Sequence, residues 1–485
     1  MPDWTYHPFR RIAATLLGER RSQLAALRLL AKVGSLPGGG RIVACGLGHR
    51  HPPRRLAGRV AGVSVHVRLG AVVPPKVAHD AIRALPLLGA GVIEIGPVHP
   101  EDVPTVRKAV AGRRIPVIAR ASPEARAAVA QHVDAVVAGD FVHPHTISQA
   151  AQALADPSTV VMATTATLIR EGPGWFARVI DAATPAGGKP HRAWVWGALL
   201  GVGMIVAGLA AVAITLGPLL LWYDRDYLGV SAVDHHLAHF LQHDRISLAG
   251  TMIAIGVLYT GLSQGIRRGH LWAREALSAS GWLGFPTLFY FVGTGFVDVL
   301  HLAATVTLFP FFLLATRRRG GRRRTPLPDG PERQRRRALV GQLLLVITGL
   351  GIAVGGAVVS VVGLTTVFVP SDLTYLHTTG QALQAANPRL LPFIAHDRAG
   401  FGGALISAGV GIALLSAWGW RRGESWVWWT LTLAAISGFG CALTVHGEIG
   451  YTDLGHLAPA YAGLALTIVA LALARPYLCA RRPIP

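Results

Sequence analysis

HDRISLAGTMIAIGV at residues 243–257 and HDRAGFGGALISAGV at residues 396–410 are one motif written twice. Each opens on an ionisable triplet and runs on as an apolar stretch, and the likeness continues outward from it. RRGHLW (267–272) answers RRGESW (421–426), and DVLH (298–301) answers DLGH (453–456). A sustained period of this kind signals a duplicated architecture, so the C-terminal part of the chain reads as two copies of one unit.

The unit is a membrane unit. Hydrophobic residues make up 51% of the chain and charged residues only 15%, with a mean hydropathy of +0.43, which is too apolar for an ordinary soluble protein. Windows able to cross a hydrocarbon core of ~30 Å fall near 195–222, 247–266, 277–296, 298–316, 338–369, 400–420, 426–446 and 454–474, which predicts eight transmembrane helices in two four-helix repeats. Arg-rich connections, above all RRRGGRRRTPLPDGPERQRRR (317–337), alternate with acidic or His-rich ones. Placing the basic set inside puts both termini and the 317–337 loop in the cytoplasm of a multi-pass cell-membrane protein. Each repeat then starts and ends inside, so the repeats are parallel rather than inverted. The first thirty residues carry charge throughout, and no secretory signal is expected.

The net charge of +21 sits mainly in such connections, which argues against nucleic acid as a partner. The lipid bilayer is the expected partner, with anionic lipid attracted to the 317–337 loop. Cys45, Cys441 and Cys479 are scattered and form no CxxC, so no disulfide framework or zinc site follows from them.

Ionisable residues at membrane ends recur in both copies. Asp244, Arg245, Asp298 and His301 in the first copy correspond to Asp397, Arg398, Asp453 and His456 in the second. Such groups are costly near lipid unless paired or hydrated, so each copy is expected to pair its Arg with its own Asp-x-x-His. Two readings stand side by side: interface anchors with a helix cap, or a ligand or ion site. In DHHLAHFLQHD (234–244), His235, His239 and His243 share a helical face, a geometry suited to a transition metal or to a solvated polar stripe.

Residues 61–185 alternate strand and helix. Strand-like runs at 63–73, 91–96, 115–121, 133–140 and 158–166 are each followed by a helical segment, which predicts a parallel sheet. Five units are too few for a closed (β/α)8 barrel, so the fold class is α/β plus all-α membrane, with an incomplete barrel-like domain. The divisions are 1–60 (amphipathic helices), 61–185 (βα domain), 186–316 (first repeat), 317–337 (basic loop), 338–475 (second repeat) and 476–485 (tail). Ile12, Leu16, Leu17, Leu24, Leu27 and Leu30 form an apolar helical face for lipid or for the βα domain.

Three stretches carry a family resemblance. Residues 5–65, TYHPF to VSV, look like the N-terminal helices and first strands of class 2, quinone-dependent dihydroorotate dehydrogenases. RLGAVVPPKVAHDAIRALPLLGAGVIEIGPVHP (68–100) resembles that family's first flavin-contacting loop, helix and next strand. TVVMATTATLIREGPGWFARVIDA (159–182) is similar to its last strand and closing helix. The resemblance implies a TIM-barrel-like fold, FMN as a possible cofactor contacted at Ala71, Lys76, Gly96 and Thr165, quinone as a possible partner, and a place in pyrimidine biosynthesis. The family's Asn-rich substrate loop and its Ser-bearing catalytic segment have no counterpart here, so no catalytic residue is carried over. The expectation is a degenerate, non-catalytic interaction or ligand-sensing domain on a membrane unit. The alternatives are a membrane FMN oxidoreductase passing electrons to quinone, and a transporter or channel built on the repeat.

Overall fold

The computed structural model describes residues 3–46, 52–172, 174–184, 192–217, 235–290, 294–296, 299–317 and 330–481. The chain divides near residue 187 into two units, a small α/β unit and a helical one.

Unit one begins with three helices, α1 (Asp3–Leu17), α2 (Glu19–Ser35) and α3 (Gly39–Gly46). Leu30 is buried and Leu27 packs beside it in the core of the unit, whereas Ile12, Leu16 and Leu17 of α1 are more than half exposed. The apolar face expected over both helices is therefore split, with α2 using its half in the core and α1 leaving its half uncovered.

A hairpin follows, β1 (Gly58–Val60) against β2 (Val63–Val65), turned by Ala61 and Gly62, both at positive φ as a two-residue hairpin turn requires. Then come β3 (Leu69–Val73), α4 (Ala78–Leu88), β4 (Val92–Val98), α5 (Val103–Val110), β5 (Val117–Ala121), α6 (Arg126–Ala130), β6 (Ala135–Val136), α7 (Ile147–Ala153), β7 (Val161–Ala163), α8 (Thr165–Glu171) and α9 (Trp175–Ala182). Strands β3 to β7 form one parallel sheet in the order β6-β5-β4-β3-β7.

Each expected strand run contains a strand; the 158–166 run narrows to Val161–Ala163 and enters α8 at Thr165, and two other runs differ more. The 63–73 run breaks in two at His66–Arg68, because buried Arg68 turns to bond the carbonyls of Leu154, Asp156 and Thr159. The 133–140 run shortens to two residues, because Arg120 takes the Gly139 carbonyl and the Asp140 carboxylate. Past β6, Val142 forms a parallel bridge to Val161, so the chain passes from one edge strand to the other.

Alternation along the strands sorts their side chains. Leu69, Ala71, Val73, Ile93, Ile95, Val117, Ala119, Val161 and Ala163 face the helices in the main core. Val92, Ile118 and Met162 face the other way, into a smaller apolar cluster closed by Val60 and Val65 of the hairpin. Two residues further along, the same face presents Glu94, Arg120 and Thr164.

Unit two consists of α10 (Ala193–Leu216), α11 (His235–Arg267), α12 (Leu271–Gly284) with a 3-10 turn at Phe285–Phe289, α13 (Val299–Thr316), α14 (Glu332–Leu364), α15 (Pro370–Leu376), α16 (Gly380–Ala386), α17 (Leu390–Gly419), α18 (Ser425–Glu448) and α19 (Leu454–Leu478). Among the described residues six helices, α10, α11, α14, α17, α18 and α19, are long and apolar enough to cross a membrane. The two carrying the HDR motif are the central ones: 83% of the apolar window of α11 and 56% of that of α17 is buried, against 22–33% in the other four. Peripheral helices show apolar rows outward, such as Val340, Ile347, Leu350, Val354, Val358 and Val361 on α14, as lipid-facing helices do.

The sequence repeat has a structural counterpart in how helices touch. A Cβ added to Gly256 would lie 2.6 Å from the Gly201 carbonyl oxygen, and one added to Gly409 would lie 2.5 Å from that of Gly349. Backbones of α10 and α11, and of α14 and α17, therefore meet at glycine, the close approach that packs helices where no hydrophobic effect drives them together. Between the halves, Tyr259, Ser280 and Ser407 join through hydroxyl contacts of 3.1–3.2 Å.

Candidate functional site

In unit one, the polar ends of β3, β4, β5 and β7 enclose a cavity of about 440 Å³ lined by Val72, Pro74, Glu94, Gly96, Arg120, Asp140, His143, Thr164 and Thr165. This is the carboxyl edge of a parallel sheet, where α/β proteins place ligands. Arg120 Nε donates to Glu94 Oε1 at 2.8 Å, and Nη1 donates to exposed Asp140 at 3.1 Å. The hydrogen bond to Glu94 leads the causes that raise the Arg120 pKa above its ordinary value. Glu94 is 1% exposed, and its second oxygen, Oε2, is buried with no hydrogen-bond partner among the described residues. The ring of His143 meets the Met162 carbonyl at 3.0 Å.

Of the positions matched to flavin contacts, Gly96 and Thr165 line this cavity. Ala71 does not, since it is fully buried on the helix side of the sheet, and Lys76 is exposed and lies outside the lining. The lining fits FMN poorly. One guanidinium faces two carboxylates, the wrong balance for a phosphate, and the Thr164 hydroxyl that heads α8 already accepts from Thr167 N–H.

In unit two, the HDR triplets of α11 and α17 meet, and they do so reciprocally. Arg398 Nε donates to Asp244 at 3.2 Å, while Arg245 Nε lies 3.6 Å from Asp397. Arg398 stacks over Phe240 at 5.0 Å, and Arg245 stacks over Phe393, the repeat partner of Phe240, at 4.7 Å. His396 lies 3.2 Å from His301, and the ring of His243 is 6.4 Å from that of His456. Every one of these contacts runs from one copy to the other. The opposite helix ends behave alike, with Arg268 on Glu424 at 2.8 Å and Trp272 stacked on Trp426. The two helices thus run in the same direction, as parallel repeats demand.

In the second copy this arrangement replaces the expected pairing of Arg398 with its own Asp-x-x-His. Asp453 is exposed and accepts the His456 backbone N–H at 2.7 Å, a helix-capping role, while Arg398 takes Asp244 and Asp372 instead. Asp298 lies outside the described residues. Asp244 and Arg245 are neither caps nor surface anchors, because α11 starts at His235 and Asp244 is 6% exposed.

The histidine stripe also resolves differently. His243 groups with His446 and His456, and His301 groups with His396 and Asp397, in each case with potential ligand atoms within 4.8 Å of one another. Neither group includes His239, and the side chain of His235 lies outside the described residues.

Three residues of the cluster were not singled out in the sequence. Asp372, fully buried at the start of α15, accepts Arg398 Nη1 at 2.5 Å and the Tyr451 hydroxyl at 2.8 Å. Burial alone would raise its pKa, but the Arg398 guanidinium outweighs that and holds the carboxyl below its ordinary value. Tyr451, above all by burial, is pushed the other way, upward. His446 completes the set. The available signals were an acid in the apolar stretch VFVPSDLTYL and an aromatic and a His just before DLGH. Comparison with protein-family models, curated proteins and solved structures finds no match to this chain, and its function is read from the chemistry of these sites.

Proposed function

We propose that this chain is a multi-pass membrane protein whose α/β unit binds a small hydrogen-bond-donating ligand in the sheet-edge cavity and senses it without oxidising dihydroorotate. The observation that carries this reading is Glu94, a buried carboxylate with one oxygen held by Arg120 and the other without a partner among the described residues. A buried acceptor of this kind favours an amine, amide or hydroxyl donor and disfavours an anion. The barrel-like character of the unit draws support from the chain passing from β6 to a bridge on β7.

Eight crossings follow if the two shorter helical stretches join the six long ones. α12 and its 3-10 turn span 14 and 5 residues, roughly 31 Å at 1.5 and 2.0 Å per residue, and the 18 residues of α13 span roughly 27 Å. The basic 317–337 loop and the α/β unit then lie in the cytoplasm, the loop attracting anionic lipid. The uncovered apolar face of α1 suits the interface of the same membrane.

Purified full-length protein should be colourless and should not reduce quinone with dihydroorotate; a yellow flavin spectrum with turnover above a no-protein control would sink the proposal in favour of the FMN oxidoreductase. In a thermal-shift panel, neutral and cationic donors should raise the melting point of wild type and not of Glu94→Gln. Shifts confined to anions, or none at all, would remove the sensing role. A single cysteine placed at Gly330 should resist an impermeant thiol reagent in intact cells, and labelling there would invert the topology.

A further inference from the structure

The geometry points to a binding site for a divalent transition-metal ion formed by His243, His446 and His456 in unit two. Their potential ligand atoms lie within 4.8 Å of one another. Nitrogens bound tetrahedrally at 2.0–2.1 Å stand roughly 3.3 Å apart, so each ring needs to move by less than about 1 Å to close on an ion.

The protonation pattern suits a metal. His243 Nδ1 lies 2.6 Å from the Phe240 carbonyl and His446 Nδ1 lies 2.7 Å from that of Ala442. A carbonyl can only accept, so both rings donate from Nδ1, and in the neutral imidazole this leaves the Nε2 lone pair for an ion. A ligating histidine is normally held in that way by a backbone carbonyl. His446 is 5% exposed, and its Nε2 has no hydrogen-bond partner among the described residues. His243 Nε2 lies 3.3 Å from Asp244 Oδ1, a lone pair facing a carboxylate, a contact that becomes favourable when a cation stands between or beside them.

The charge balance agrees. Arg398 bonds both Asp244 and Asp372, so these three groups among the described residues carry a net charge of minus one next to the imidazoles. Tyr451 links the two sets, donating to Asp372 at 2.8 Å and standing 3.5 Å from His456 Nδ1. Three neutral imidazoles with an adjacent uncompensated carboxylate favour a borderline divalent ion such as Zn²⁺ over the oxygen-seeking Mg²⁺ or Ca²⁺.

The repeat supplies a contrast. Aligning DVLH with DLGH places Phe291 opposite His446, so the third imidazole belongs to one half of the molecule. The partners of His243 and His456, which are His396 and His301, instead meet at 3.2 Å. Phenylalanine is therefore the natural substitute at position 446.

The test uses tag-free full-length protein in detergent, stripped with chelator, offered ZnCl2 or CoCl2, desalted, and assayed by elemental analysis and visible absorption. Wild type should keep one equivalent of Zn²⁺, show the Co²⁺ bands of a four-coordinate site, and melt at a higher temperature with Zn²⁺ than without. His446→Phe and, independently, His456→Gln should each weaken binding by more than the 10–100-fold typical of losing an outer-shell partner. Elution volume and metal-free melting temperature show whether each variant is folded. Wild type that keeps no Zn²⁺, or folded variants that keep it as wild type does, would overturn the proposal.

Discussion

Replacing Arg398 by Met removes one charge and strands two. Asp244 and Asp372 are 6% and 0% exposed, and both take hydrogen bonds from this guanidinium, which also donates to the Val367 carbonyl at 2.8 Å. Breaking a buried ion pair by deleting one partner costs about 3–5 kcal/mol, mostly because the remaining charge keeps its desolvation penalty. At roughly 2–4 °C per kcal/mol for a domain of a few hundred residues, Arg398→Met should melt roughly 6–20 °C below wild type. Tryptophan fluorescence in detergent micelles gives the melting curve, since twelve tryptophans report on the fold. The origin of the loss is tested by neutralising the stranded acids. Arg398→Met with Asp244→Asn and Asp372→Asn should recover at least half of it, because uncharged isosteres no longer need a cation. A melting point for Arg398→Met within 2 °C of wild type, or a triple variant no better than the single, would refute the reasoning.

Arg245→Met should cost less than Arg398→Met by the same assay, since Arg245 is 12% exposed and its contact to Asp397 is longer, at 3.6 Å. Gly409→Leu should abolish folded yield on size exclusion, because its Cβ would meet the backbone of α14 at 2.5 Å while Gly440→Leu, with open space around it, should be recovered at wild-type yield. Asp372 has a folded pKa below its unfolded value, so its contribution is full above the unfolded value of ~4 and is lost as pH falls through the folded one. Melting temperature measured downward from pH 6 should fall in wild type and fall less steeply in Asp372→Asn. In unit one, Thr146→Ala removes the hydroxyl that accepts from Gln149 N–H at 3.2 Å at the head of α7, and should cost ~1 kcal/mol by chemical denaturation.

What the sequence made legible was periodic or local. The five strands of the sheet, the apolar helices and the HDR repeat are all visible in short windows, because alternation, hydropathy and self-similarity are properties of neighbours in sequence. Pairing is not such a property. Nothing in HDRISLAG says that Asp244 meets an arginine 154 residues away rather than one in its own copy. Asp372 was hidden for a related reason: an acid beside a proline at a helix start reads as a cap, which it is toward Val369 N–H, while its second role depends on tertiary contact. The shortening of β6 has the same origin, since the Gly139 carbonyl just past it is taken by Arg120 on another strand.

The reciprocal crossing of Asp244 with Arg398 and of Asp397 with Arg245 means that one copy contains both halves of the lock. Two identical copies, related by a rotation about the line between α11 and α17, would satisfy each other with the same contacts. The present chain thus has the internal form of a symmetric homodimer with its subunits joined in tandem. Divergence is already visible in the sequence, where His446 corresponds to Phe291 and Tyr451 to Phe296. Fusion fixes which copy carries which residue, so one interface can become polar while its twin stays aromatic, a specialisation closed to a dimer encoded by a single sequence.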